Sequence, residues 1–240
     1  PSSCGSETGL VLHWKFDEIS GLYAADASGR GKTGTVYGAS WNPIGGTIGG
    51  ALQFDQADNY VYAYVEGDTS TIFSGITGTN PRSCTAWIKT DQPSGGIMAW
   101  GSEINSQLWL IWINEKGLLR VDVGGGYIIG TTLLTDDLWH HIAVTSNGTS
   151  TDNIALYVDG KLETIGGVVS QSINTASTLP MSLGKYYSTF KVFNGLIDDV
   201  RVYNRVLGLQ DVWNLAITGP TQSSCSDLNM DMMVNLADVV

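Results

Sequence analysis

The sequence predicts an all-β protein, a two-sheet antiparallel β-sandwich (jelly roll) with one short C-terminal helix. Three observations predict it. From Leu10 onward, short segments rich in Val, Ile, Tyr and Trp follow one another, bounded by turn residues. Glycine occurs 30 times and proline 6 times, so glycine does most of the punctuation. Helical periodicity of useful length appears only near Leu207–Ala216. Strands at such spacing, without intervening helices, pack as two antiparallel layers.

The elements follow in chain order. LVLHWKF alternates, placing Leu10, Leu12, Trp14 and Phe16 on one face. GALQFD, NYVYAYV, SCTAWIKT and GIMAWG read as the next strands. QLWLIWIN and LLRVDVG are joined by Glu115-Lys116-Gly117, a hairpin signal. WHHIAVTSN and IALYV follow, the latter closed by Asp159-Gly160, a second hairpin signal. MSLGKY and LIDDVRVYN complete the strands, and LGLQDVWNLA gives about three turns of helix. Several strands are apolar on both sides, as in Trp109, Ile111 and Ile113 against Leu108, Leu110 and Trp112. In a sandwich the second side would normally be wet, so it reads as a binding surface. The main domain spans residues 1–216, and 217–240 is a polar linker followed by DLNMDMMVNLADVV.

Charge and composition exclude several classes. The net charge is −11 and the pI about 4.4, which argues against nucleic acid or an anionic membrane as partner. The same carboxylate excess suits a hard cation, which takes oxygen ligands. With 42% hydrophobic and 15% charged residues the chain is not disordered. No run of eighteen apolar residues occurs. The chain opens on PSSCGSETG, as either a mature secreted protein or a cytosolic one would. Cys84, in an alternating strand, reads as a small buried hydrophobe. Cys4 and Cys225 flank the domain; a disulfide between them is one reading, and it implies an oxidising, extracellular setting.

Catalytic chemistry finds little support. The six glutamates, Glu7, Glu18, Glu66, Glu103, Glu115 and Glu163, are scattered singly, and no Gly-x-Ser-x-Gly elbow or P-loop is present. His140 and His141 are neighbours on a strand and point to opposite faces, so they do not chelate one ion together. Aromatic side chains carry the ligand question, because sugars stack their CH faces on aromatic rings. The candidates are Tyr186 and Tyr187 in GKYYSTFKVF, Trp109 and Trp112 on the apolar-sided strand, Trp100, and Tyr127 after three glycines. Tyr60, Tyr62 and Tyr64 alternate as a further stacking ribbon, whereas Trp14, Trp87, Trp139 and Trp213 are assigned to the core.

Four segments in order, HWKFDEISG, DASGRGKTGTVYGASW, WHHIAVTSNG with LYVDGKL, and FNGLIDDVRVYNRVL, resemble the laminin-G-like, concanavalin A-like lectin/glucanase group. The likeness is closest to its bacterial laminin-G/pentraxin-like branch and covers about residues 9–216. It implies a jelly roll, a structural Ca²⁺ ion and carbohydrate binding beside secreted enzymes. For calcium it points to the Asp26 and Ser28 loop, with carbonyls of Ser28, Gly31 and Thr33, paired with Asp198 or Asp199. Lys32 stands where family members commonly carry asparagine, leaving only its carbonyl there. In the tail, Asp227-x-Asn229-x-Asp231 is similar to the first calcium loop of a dockerin repeat, although Met232 replaces the turn glycine. The resulting expectation is a secreted, non-catalytic polysaccharide-binding module with structural calcium. The alternatives are a cell-surface adhesion domain recognising protein, with the C-terminal segment docking to a partner, and a polysaccharide-degrading enzyme.

Overall fold

Alternation along the strands resolves into two sheets facing each other across one core. The computed structural model describes residues 8–55, 59–63, 76–177, 180–186 and 192–218. In chain order the strands begin with β1 (Leu10–Trp14), β2 (Tyr23–Ala24), β3 (Gly34–Tyr37), β4 (Ser40–Asn42), β5 (Ala51–Asp55) and β6 (Tyr60–Ala63). They continue with β7 (Arg82–Lys89), β8 (Gly96–Gly101), β9 (Leu108–Ile113), β10 (Leu118–Asp122), β11 (Tyr127–Leu133) and β12 (Trp139–Ser146). The last are β13 (Ile154–Val158), β14 (Lys161–Leu162), β15 (Gly167–Val169), β16 (Ser182–Leu183) and β17 (Asn194–Tyr203). The helix α1 (Leu209–Thr218) starts and ends two residues later than the periodicity predicts.

Among the described residues the strands form an eight-stranded sheet in the order β14-β13-β12-β7-β17-β5-β4, with β1 also on β17. The other sheet has nine strands, β15-β11-β10-β9-β8-β16-β6-β3-β2, and every pairing is antiparallel. The inner faces bury Leu12, Trp14, Phe54, Ile88, Trp109 and Val202 among others, and Cys84 joins them. Complete burial pushes the Cys84 thiol up to about 12, so it stays protonated and inert.

Local chemistry fixes the turns. Asp159 and Gly160 both take left-handed backbone, φ 50° and 76°, as a two-residue type I′ hairpin requires. Between β9 and β10, Asn114 Oδ1 accepts the N–H groups of Lys116 and Leu118, closing the predicted turn. Helix α1 lays Val212 and Leu215 against Leu10, Tyr157 and Tyr203 on the outside of the smaller sheet. That placement corrects three tryptophans assigned to the core. Trp87, Trp139 and Trp213 are half-buried outside the sandwich, and only Trp14 is interior. Trp87 and Trp139 share strand parity with outward positions, while Trp213 packs over the Asp159-Gly160 turn.

Candidate functional site

Register places the aromatic candidates. On β9, Trp109, Ile111 and Ile113 enter the core, while Leu108, Leu110 and Trp112 point outward. Trp109 and Trp112 are three residues apart, an odd spacing, so they cannot share a face. Trp109, at 0% exposure, lies beside Trp100 inside the sandwich with a ring separation of 5.7 Å. The expectation that Trp100 and Trp109 meet ligand is therefore corrected; both are core residues.

The outer face of the nine-stranded sheet is built differently. Ala99, Leu108, Leu110, Trp112 and Tyr186 form a compact apolar cluster there, itself buried, with Trp112 3% and Tyr186 6% exposed, so these two support the face from beneath. Beside it, Arg120 Nε and Nη2 grip Asp122 at 2.8 and 2.7 Å, a bidentate pair. Trp112 Nε1 also donates to Asp122, at 2.5 Å. The Arg120 guanidinium lies 4.0 Å from the Tyr127 ring centre and 5.2 Å from that of Trp112. Burial and a hydrogen bond to Glu103 push the Tyr186 phenol up, with the charges of Glu103 and Asp122 adding to it. Three predicted aromatics, Trp112, Tyr127 and Tyr186, are thus brought together with polar groups at their edges. Glu103, Arg120 and Asp122 were not singled out from the sequence. The signal was there for two of them: in LLRVDVG, Arg120 and Asp122 alternate with the core residues Leu119 and Val121.

The calcium candidates separate into two places. Asp26 Oδ1 accepts the N–H groups of His13 and Ser28, each at 3.0 Å. Its Oδ2 accepts the Ser28 hydroxyl and the Lys32 N–H, each at 2.8 Å. Burial works to raise the Asp26 carboxyl, and these four donors outweigh it and hold it below the ordinary value. Asp26 thereby ties its own loop, Ser28 to Thr33, to β1. Asp199 is also occupied, by His13 Nε2 at 2.7 Å and Arg201 Nε at 3.1 Å. Asp198 differs. Its Oδ2 accepts the Ile48 N–H at 2.9 Å, and its buried Oδ1 has no hydrogen-bond partner. Burial, reinforced by Asp199, pushes Asp198 up to about 7.

Oxygen atoms gather where the 45–50 loop meets Asp198. A side chain on Gly46 would place its Cβ 1.9 Å from the Gly50 carbonyl oxygen and 2.8 Å from Asp198 Oδ2. One on Gly50 would meet the Phe16 carbonyl oxygen at 2.3 Å. Phe16 and Asp199 hold left-handed backbone, φ 56° and 46°, the latter within the β17 irregularity between Asp198 and Arg201. Such conformations cost about 1–3 kcal/mol in non-glycine residues, so the surrounding structure enforces them. Elsewhere, Glu18 accepts the Ala25 N–H on Oε1, and its buried Oε2 has no partner. Among the described residues no three His, Cys, Asp or Glu side chains converge as a metal cluster, so any cation beside Asp198 relies on backbone carbonyls. Phe16 lies in the HWKFDEISG segment but was not singled out as a ligand, and Gly46 and Gly50 emerge only from the folded contacts. Tyr187, Asp227, Asn229, Asp231, Tyr64, Cys4 and Cys225 lie outside the described residues.

The two histidines of β12 separate as strand geometry requires. His141 is fully buried, and desolvation lowers it to about 4. His140 sits between Asp159 at 2.9 Å and Asp136 at 3.2 Å. Among the described residues no helix is long and apolar enough to cross a membrane.

Two facing antiparallel sheets with one C-terminal helix define a concanavalin A-like sandwich. Residues 51–213 match the Laminin_G_3 family of the concanavalin A-like lectin/glucanases superfamily, and the chain belongs to that family. No curated protein matches it in sequence. Among solved structures it is similar to domain 4 of AbnA, a GH43 extracellular arabinanase from Geobacillus stearothermophilus, in complex with arabinotriose. The TM-score is 0.61 at 20% identity, covering 86% of this chain and 98% of that one. It is also similar to the binding domain of botulinum neurotoxin DC in complex with SialylT, with a TM-score of 0.61 and 16% identity. The binding domain of Paraclostridial Mosquitocidal Protein 1 gives 0.60 and 17%. Each of these two alignments covers 88% of this chain, which spans about half (52%) of either toxin domain. At these identities the likeness establishes the fold.

Proposed function

We propose that the chain is an extracellular, non-catalytic carbohydrate-binding module. It takes a neutral polysaccharide on the outer face of the nine-stranded sheet and carries one structural calcium ion. The carrying observation is the partly exposed Tyr127–Arg120 stack, closed by Asp122 and backed by the buried Trp112. Aromatic faces supply stacking for sugar rings, and carboxylate and guanidinium edges read hydroxyls. Arg120 spends Nε and Nη2 on Asp122, and Glu103 adds a further carboxylate nearby, so a sugar acid would meet net negative charge. The binding of arabinotriose by the AbnA domain supports a neutral ligand, and the extracellular setting of that enzyme supports secretion.

The residues at Asp198 suit calcium. Asp198 Oδ1 and the carbonyls of Phe16 and Gly50 would hold it, since a hard cation satisfies buried oxygens that lack donors. When bound, the ion supplies positive charge that keeps Asp198 ionised and ties the 45–50 loop to β17. This ligand set replaces the side chain of Asp26, whose oxygens serve its own loop.

Affinity electrophoresis against arabinan, xylan, mixed-linkage glucan, polygalacturonate and a sialylated glycoprotein tests the reading. Retardation by a neutral polymer, lost in Tyr127→Ala, is expected; retardation by none of the five rejects it. The proximity of Glu103 and Asp122 to Tyr186 favours a second reading, a glycan-cleaving carboxylate pair. Against it, Asp122 is held by Arg120 and Trp112 and is poorly placed to exchange a proton. Release of reducing ends from the same polymers would establish cleavage.

A further inference from the structure

The nine-stranded sheet carries a second aromatic platform on the same outer face. On β6, Tyr60 and Tyr62 lie side by side with ring centres 4.6 Å apart, outward of the buried Val61. Tyr37 of β3 stacks on Tyr60 at 4.7 Å and 27°, and meets Tyr62 edge-on at 6.1 Å. Lys185 Nζ sits 5.0 Å from the Tyr60 ring centre. Tyr37 is 44% exposed, so this is a surface stack and not an extension of the core.

The two platforms share one line across the sheet. Register pairs run Tyr62–Ser182–Ala99–Leu110–Asp122–Tyr127, one residue from each of six neighbouring strands. Five strand spacings separate Tyr62 from Tyr127, about 24 Å at the usual ~4.8 Å per strand. The middle of the line is occupied, because Tyr186 packs over Ala99 and Leu110. A disaccharide or trisaccharide on one platform therefore cannot reach the other.

We infer that the tyrosine stack is a second glycan subsite and that the ligand is the interior of an extended polysaccharide chain, gripped at both platforms and running across the strands. This rests on the reading of the Trp112–Tyr127 cluster as a glycan contact. It adds a span that selects long chains over short oligosaccharides and chain ends. Joining two weak contacts on one chain makes the second intramolecular, and avidity gains of this kind reach about 10²–10⁴-fold. The flat, sequence-neutral rings of Tyr37 and Tyr60 suit repeated stacking on an unbranched chain.

Isothermal titration with linear arabino-, xylo- and cello-oligosaccharides, each from trisaccharide to octasaccharide, tests this. For a ladder that binds, affinity is expected to rise about tenfold or more between its shortest and longest members. Tyr37→Ala is expected to flatten that rise while leaving trisaccharide affinity unchanged and lowering the melting temperature by a few degrees. Tyr60→Leu, which keeps apolar bulk within the stack, is expected to do the same. Affinity that is independent of length, or a length profile that survives both substitutions, overturns the second subsite and leaves the first intact. Failure of every ladder to bind removes the first site, and this inference with it.

Discussion

Replacing Asp198 by asparagine keeps the side chain's shape and removes a charge that the fold buries completely. The carboxyl moves from 3.8 to about 7 because burial disfavours its charged form. Below pH 3.8 it is protonated in both folded and unfolded states. Between 3.8 and about 7 the folded chain retains a proton that the unfolded chain has released. Stability therefore falls as pH rises through that window and levels off above it. The full loss is about 4 kcal/mol, at 1.36 kcal/mol per tenfold change in proton affinity. For a chain of this size that is on the order of 10 °C in melting temperature. In chelator at pH 8, Asp198→Asn is thus expected to melt well above wild type, with the gap narrowing towards pH 5. Calcium should restore the wild-type melting temperature and leave the variant unmoved. Calorimetry from pH 5 to 8, with EDTA or with calcium, reads all of this. A wild-type melting temperature that ignores pH in EDTA, or a variant still stabilised by calcium, would refute the assignment of Asp198.

Other consequences follow from different parts of the fold. His140 gains from the hydrogen bond and charge of Asp159, and from Asp136, which outweigh burial, so its titration midpoint lies above 6.5. Its contribution to stability is complete below 6.5 and fades as pH rises through the raised value; NMR titration of the imidazole, with Asp159→Asn lowering the midpoint, checks it. Trp109→Ala should cost about 3–5 kcal/mol by opening a core cavity, whereas Tyr127→Ala should leave urea midpoints nearly unchanged and act on glycan affinity. Asp122→Asn releases Arg120 from its carboxylate, so binding of acidic glycans should strengthen relative to neutral ones on the same electrophoresis panel.

Much of the architecture was legible because β-strand side chains alternate strictly. LVLHWKF, SCTAWIKT and LIDDVRVYN declared strands, and EKG and DG declared hairpins, through local rules that need no partner. The same rule, applied to Trp109 and Trp112, would have separated core from surface in advance. It did not by itself say which parity faced inward, because β9 is apolar on both. Trp87 and Trp139 were assigned to the core because they fall in motif positions, yet strand parity puts them outside.

The sequence by itself determined the fold class, the order of strands along the chain and the net acidity, since each depends on near neighbours or on composition. Tertiary structure alone decided which oxygens and rings meet. Asp198 and Ile48 are 150 residues apart, and their contact exists only because β17 lies beside β5 and the 45–50 loop folds over the bulge. Asp198 and Asp199 are indistinguishable as letters; His13 and Arg201 engage one, whereas the other accepts a single backbone N–H and keeps a buried oxygen without a partner. Likewise Tyr62 and Tyr127 fall on one line through strands that follow no chain order. Hydrophobic pattern travels along the chain, whereas charge compensation and ligand geometry are set across it.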